Sequence, residues 1–188
     1  MPIDCSHQNS FLPIEDFNNR LEFQNIEKGD VLLQPGHVCK KLIIVNTGFL
    51  RVFNIKDGNE QINGFFGPGS IVFPVSTYHL LQKSNQAISS ETSGSIFCIS
   101  HHECRALEEK YPEFLQFSKS LSDQHIITLS KREKANRLGN AKEMYLYLCK
   151  EEPELLQNVP INHIASYLGI SIQRLSEIRS EIAKERLI

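Results

Sequence analysis

Tryptophan is absent from this 188-residue chain, methionine occurs only twice, and no window holds the roughly eighteen uninterrupted apolar residues of a membrane span. A membrane partner is therefore not expected. There is no CxxC pair either. The five cysteines, Cys5, Cys39, Cys98, Cys104 and Cys149, are scattered and odd in number, which argues against a disulfide framework or a zinc finger and fits a reducing compartment. The opening residues, MPIDCSHQNS, have neither the basic start nor the apolar run of a signal peptide, so a cytoplasmic location is the expectation.

Strong charge of either sign is also missing, since the formal net charge is −2. Its distribution is uneven. Residues 131–188 hold 10 Lys and Arg against 8 Asp and Glu, a net of +2, while residues 1–130 hold 10 against 14, a net of −4. The C-terminal end is thus the part that nucleic acid would favour. With 40% hydrophobic residues, the chain can bury one good core, or a medium domain and a small one.

Between about Leu21 and Ile99 the sequence is a series of short apolar runs: LEFQNI, VLL, LIIV, FLRVFNI, INGFF, SIVF, QAIS and SIFCI. They are separated by KGD, QPG, NTG, KDGN, GPG and TSG, where Gly permits positive φ and Pro presets it. Strands at this spacing predict an antiparallel β-roll or barrel. FLRVFNI is apolar on both faces, which predicts helices over part of the outside. After Ile99 the pattern becomes helical. Ser100 and Glu103 form the S-x-x-E signature of a helix start ahead of HHECRALEEKY. A second helix is predicted from Pro112 to about Lys134, with Phe114, Phe117, Leu121, Ile126 and Leu129 broadly on one side, and a domain joint is placed at residues 131–139. Two further helical stretches, ANRLGNAKEMYLYLCKEE and ELLQ, follow.

Near the end stands NHIASYLGISIQRLSEIR. A helix-turn-helix needs a small residue where its helices touch, a Gly four positions later for the left-handed turn, and apolar residues sealing the wedge. Ala165 and Gly169 meet the first two needs, Ile164, Leu168, Ile170, Leu175 and Ile178 the third, and Ser171 is placed to cap the second helix. An ordinary helical hairpin can share this spacing. If the second helix enters a major groove, its outward face offers Ser171, Ile172, Gln173, Arg174, Ser176, Glu177, Arg179 and Ser180. Gln173 could address adenine, Ile172 a thymine methyl and Glu177 the amino group of cytosine, with Arg174 and Arg179 on the flanks for phosphate. A solvated face, with Glu177 and Glu181 repelling and Arg186 near Glu181, is the plain alternative.

Taken together, KGDVLLQPGHVCKKLIIVNTGFLRVF, DGNEQINGFFGPGSI and IASYLGISIQRLSEIR resemble the Crp/Fnr family of bacterial transcription regulators, in the right order and over nearly the whole chain. The resemblance implies an α+β fold: a cyclic-nucleotide-binding-like β-roll (a double-stranded β-helix) with flanking helices at 1–111, a dimerisation helix at 112–134, and an all-α helix-turn-helix domain at 135–188. Only SEIAKERLI follows the second helix, so no wing is expected. The implied partners are double-stranded DNA, a second copy of the chain and RNA polymerase.

The departures concern the effector. Relatives that bind cyclic AMP hold its ribose with a Gly-Glu pair and its phosphate with an Arg-Ala pair. Here Phe73 and Pro74 stand at the first position and Gln86 precedes Ala87 at the second. Gln cannot supply the charge-assisted bonds of Arg, so cyclic AMP is not the expected effector. Ser76, Thr77, His79, Lys83 and Gln86 are candidate contacts for another ligand, or simply a polar loop.

Cys5 and His7 alone do not make an N-terminal iron-sulfur ligand set, and His101, His102 and Cys104 are read as part of a capped surface helix, so no metal is expected. The roll strands lack the His/Glu cluster of a cupin-type enzyme, and no nucleophile elbow or phosphate loop occurs, so no catalytic residues are assigned. The leading reading is a dimeric DNA-binding regulator with an unknown small-molecule effector or none. The rival is a ligand-binding or protein-interaction module with a degenerate DNA-binding domain.

Overall fold

The computed structural model describes residues 14–137 and 140–185. A short helix, α1 (Ile14–Asn19), precedes eight strands: β1 (Glu22–Ile26), β2 (Val31–Leu33), β3 (Lys41–Thr47), β4 (Leu50–Lys56), β5 (Asn59–Phe66), β6 (Ile71–Val72), β7 (Gln86–Ser90) and β8 (Gly94–Ser100). Helix α2 (Val75–Leu80) interrupts the strands between β6 and β7. All eight apolar runs are strands. They form two antiparallel four-stranded sheets, ordered β1-β8-β3-β6 and β2-β7-β4-β5, which is the β-roll the spacing predicts.

Alternation along the strands divides the side chains between two cores. Leu50, Val52, Phe66 and Ile88 join Ile43, Val45, Val72 and Ile96 in the core of the roll. Their neighbours Phe49, Phe53, Ile62, Phe65 and Ala87 belong to a second core on the other face of the β2-β7-β4-β5 sheet. This is the physical meaning of the doubly apolar FLRVFNI. The turn between β3 and β4 depends on Gly48 (φ +82°), where an added Cβ would lie 2.8 Å from the carbonyl oxygen of Ser93.

Helix α3 (His101–Lys110) starts as expected, with Ser100 Oγ accepting from the Glu103 amide at 3.1 Å. Helix α4 (Pro112–Arg137) then runs for 26 residues, about 39 Å at 1.5 Å per residue. The segment KREKANR, expected to form a domain joint, is the last part of this helix. It is rich in strong helix formers and has no Gly or Pro before residue 138. Phe114 is buried and Phe117 packs against the roll core, whereas Ile126 is exposed; the side chains of Leu121 and Leu129 lie outside the described residues.

Four helices complete the described chain: α5 (Ala141–Glu151), α6 (Pro153–Asn158), α7 (Ile161–Tyr167) and α8 (Ile172–Glu185). Asn140 caps α5 by accepting from the Glu143 amide at 2.8 Å. Met144, Leu148, Leu155, Val159, Ile164, Ala165, Tyr167 and Leu175 from this region fill the second core together with the outer face of the sheet. The C-terminal helices are therefore docked on the roll.

Candidate functional site

Helices α7 and α8 meet at the turn that the sequence predicts. Gly169 has φ +67°, the Ile170 amide donates to the Ala165 carbonyl at 3.0 Å, and Ser171 Oγ accepts from the Arg174 amide at 3.1 Å. Ala165, Ile164, Leu175 and Ile178 are all buried, as the wedge requires, while Leu168 and Ile170 pack at its margin. The αL turn is cheap because it falls on a residue without Cβ.

The outward face of α8 carries Ser171, Ile172, Gln173, Arg174, Ser176, Glu177, Arg179 and Ser180, every one exposed. Contrary to the expectation of simple repulsion between Glu177 and Glu181, the Arg174 guanidinium lies between them, 2.9 Å from Glu177 and 3.4 Å from Glu181. Both carboxylates raise the pKa of Arg174, Glu177 through the stronger hydrogen bond. Lys142 of α5 extends the chain of charges to Glu181 (3.7 Å) and Glu185 (2.6 Å). Arg186, expected near Glu181, lies outside the described residues. Ser176 turns back to donate to the Ile172 carbonyl. The side chains of Ile172, Gln173 and Arg179 point outward without a partner among the described residues.

The docking of α7 has no signal in the sequence. Ser166 Oγ donates to the Glu60 carbonyl of β5 at 3.1 Å, and the rings of Phe65 and Tyr167 meet edge to face at 5.5 Å. Beside them Glu91, fully buried, accepts from His163 Nδ1 at 2.8 and 2.9 Å and from Arg51 Nη1 at 3.2 Å. Arg51 also reaches Glu60 and stacks over Phe53 with its guanidinium carbon 5.0 Å from the ring centre. A buried carboxylate requires such partners.

The effector candidates do not converge. Thr77 is buried, Lys83 is exposed in an isolated bridge to Val38, and Gln86 opens β7 with its amide donating to Ser84 Oγ. The side chain of Ser76 lies outside the described residues, as do Cys5 and His7. Gln86 pairs across the sheet with Asn54, on the roll-core side of β4 by alternation. Sequence reasoning misses Asn54, because its strand carries no polar pattern to mark it. Its Oδ1 is buried with no hydrogen-bond partner among the described residues. Two neutral amides thus face each other across β4 and β7, and Phe73 is buried with its ring centre 5.0 Å from that of Tyr78.

A cavity of about 290 Å³ does exist, but it lies between the roll and α1–α4, and of the effector candidates only His79 lines it. His101 also lines it, edge to face with Tyr78 at 5.0 Å, while His102 points to solvent and Cys104 is buried. Among the described residues no group of three or more His, Cys, Asp or Glu could hold a metal ion. None of the described helices is long and apolar enough to cross a membrane.

The architecture is a β-roll followed by the 26-residue helix α4 and four shorter helices. Residues 23–111 match the cyclic nucleotide-binding domain family. Transcriptional activator protein anr of Pseudomonas aeruginosa is 26% identical over 98% of this chain and 83% of its own length. The fumarate and nitrate reduction regulatory protein of Yersinia pestis is 25% identical over 98% and 81%. In structure, FixK2 from Bradyrhizobium japonicum superposes with a TM-score of 0.74 at 14% identity, covering 88% of this chain and 85% of its own. The global regulator CLP of Xanthomonas campestris gives 0.71 at 16%, covering 93% and 92%. The chain is thus similar, over nearly its whole length, to the Pseudomonas aeruginosa and Yersinia pestis regulators, and its residues 23–111 match the cyclic nucleotide-binding domain.

Proposed function

We propose that this protein is a transcription regulator of the Crp/Fnr type, acting as a homodimer that reads duplex DNA through α7 and α8, with α8 entering the major groove. The observation that carries this reading is the exposed face of α8, with Ile172, Gln173 and Arg179 pointing outward on a helix whose opposite face, Leu175, Ile178 and Ile182, is buried. Gln173 suits adenine and Ile172 a thymine methyl, and Arg179 suits phosphate. Dimerisation is assigned to α4, where Leu115 and Ile126, eleven residues apart and hence on one side, are exposed apolar groups. A two-fold pair of α8 helices would then meet successive major grooves of a near-palindromic site.

The roll is the sensor in this reading, and cyclic AMP is not its effector, since Gln86 and Asn54 offer no charge to the phosphate. Isothermal titration with cyclic AMP is expected to give no micromolar binding. Fluorescence anisotropy on the promoter of its own gene cluster, between about 50 and 200 mM salt, tests the DNA reading, and the logarithm of the affinity is expected to fall linearly with log salt.

One observation favours a second reading, a protein-interaction or ligand-binding module that has lost its hold on DNA: Arg174 is occupied by Glu177 and Glu181. A folded dimer that leaves the promoter unshifted at low salt would establish it.

A further inference from the structure

The cavity beneath α2 has walls of two kinds. Phe73, Tyr78 and His101 form one aromatic row, with ring centres 5.0 Å apart in each successive pair, and Phe17 and Phe114 form another at 5.5 Å. Leu42 and Ile99 of the roll make its floor. No residue of β2, β4, β5 or β7 lines it, so it is separate from Gln86 and Asn54. At about 290 Å³ it is at the small end of ligand sites.

Its polar groups are balanced. Arg105 lies 2.7 Å from Glu108, which also accepts from Ser118 Oγ at 2.6 Å. The Cys104 thiol is pushed up to about 11 by burial, Tyr78 is pushed up for the same reason, and burial with the nearby Arg105 lowers His101. The walls thus present hydrogen-bonding atoms and aromatic faces around a cancelled charge pair. Such a lining rejects an ion, which would lose its hydration without meeting an opposite charge.

We propose that this cavity binds a small uncharged ring compound carrying a hydrogen-bonding group, of the phenol or indole kind. The flat body lies among Phe17, Phe73, Tyr78 and Phe114, and the polar atom meets His101 or His79 at the rim. Because α4 supplies Phe114, Ser118 and Ser122 to the same walls, occupancy bears directly on the helix assigned to dimerisation. The regulatory meaning of this site rests on the sensor reading of the roll, whereas binding itself is measured without DNA.

The chain has no Trp, so indole added to the full-length protein can be followed by its own fluorescence. Saturable binding is expected, weakened at least about tenfold by Ser122→Phe, which fills the cavity from α4, and unchanged by Gln86→Ala or by excess cyclic AMP. In the wild-type protein, methyl NMR should show indole shifting Leu42 and Ile99 but not Val52 or Ile88. This second measurement does not depend on the variant folding. Absence of saturation with indole and with phenol, or shifts confined to Val52 and Ile88, overturns the proposal. If binding occurs but promoter affinity does not respond, the site stands and the sensor reading falls.

Discussion

His163 Nδ1, on the first helix of the C-terminal pair, donates to both carboxylate oxygens of Glu91 at 2.8 and 2.9 Å, and Glu91 is completely buried. The other side of the carboxylate is held by Arg51 of the roll. Breaking a buried pair by removing one partner typically costs about 3–5 kcal/mol, because the charges left behind are uncompensated. Glu91→Ala is therefore expected to lower the stability of the docked form by about 3 kcal/mol. Urea unfolding should turn from one transition into two, with the C-terminal helices melting first. A single, unshifted transition would mean that the apolar second core alone holds the two parts together.

Asp16 gives a separate test, in acid. Arg20 chiefly, then Lys110 and the Tyr111 hydroxyl, hold its carboxyl down at about 2 against an ordinary 3.8. Arg20 also pairs with Glu103, so the cluster ties α1 to α3 and the start of α4. A depressed carboxyl adds stability that is complete above its unfolded pKa and disappears as pH falls through the folded one. The contribution should therefore fade between about pH 4 and pH 2. Asp16→Asn is expected to flatten this part of the thermal-melting profile, with the variant and the wild type converging below about pH 2.

Two glycines should fail differently. At Gly169 an added Cβ meets nothing within 4 Å, so Gly169→Ala carries only the backbone cost of the αL conformation, about 1 kcal/mol. At Gly94 the same atom would lie 2.2 Å from the Thr47 carbonyl oxygen, and the β3 backbone must move to admit it. Gly94→Ala should cost about 3 kcal/mol by overpacking. Calorimetric melts of the two variants give the order directly, and the reverse order would contradict the close approach of these strands.

The strands are legible in the sequence because Gly or Pro punctuates them, and the α7–α8 turn because Ala165, Gly169 and five apolar positions answer to one steric requirement. The docking of α7 on β5 is not legible. Arg51, Glu91 and His163 are distant in the chain, and no local pattern announces that a glutamate after a strand will be buried. FLRVFNI does signal a covered outer face, without naming its cover. The end of α4 is hard to place because charged residues mark a solvent-exposed helix as readily as a joint. Arg174 and Glu177 are three residues apart, within reach of sequence reasoning, but pairing Glu177 with Glu181 as a repelling couple overlooks the cation between them.

That cation yields the sharpest test on the DNA side. The Arg174–Glu177 pair is half exposed, where solvent screening leaves an ion pair with little weight in folding, so Glu177→Ala should leave stability nearly unchanged. It should nevertheless release part of Arg174 for phosphate, and Glu177→Ala with Glu181→Ala should release it fully. Each additional phosphate neutralised steepens the salt dependence of binding by about 0.9 in log–log slope. The double variant is thus expected to bind the promoter more tightly at low salt, with a slope steeper by about one and an unchanged base preference. Arg174→Ala in that background should return the slope to its original value. A change of preference at a cytosine, with no change of slope, would instead make Glu177 a base-reading residue.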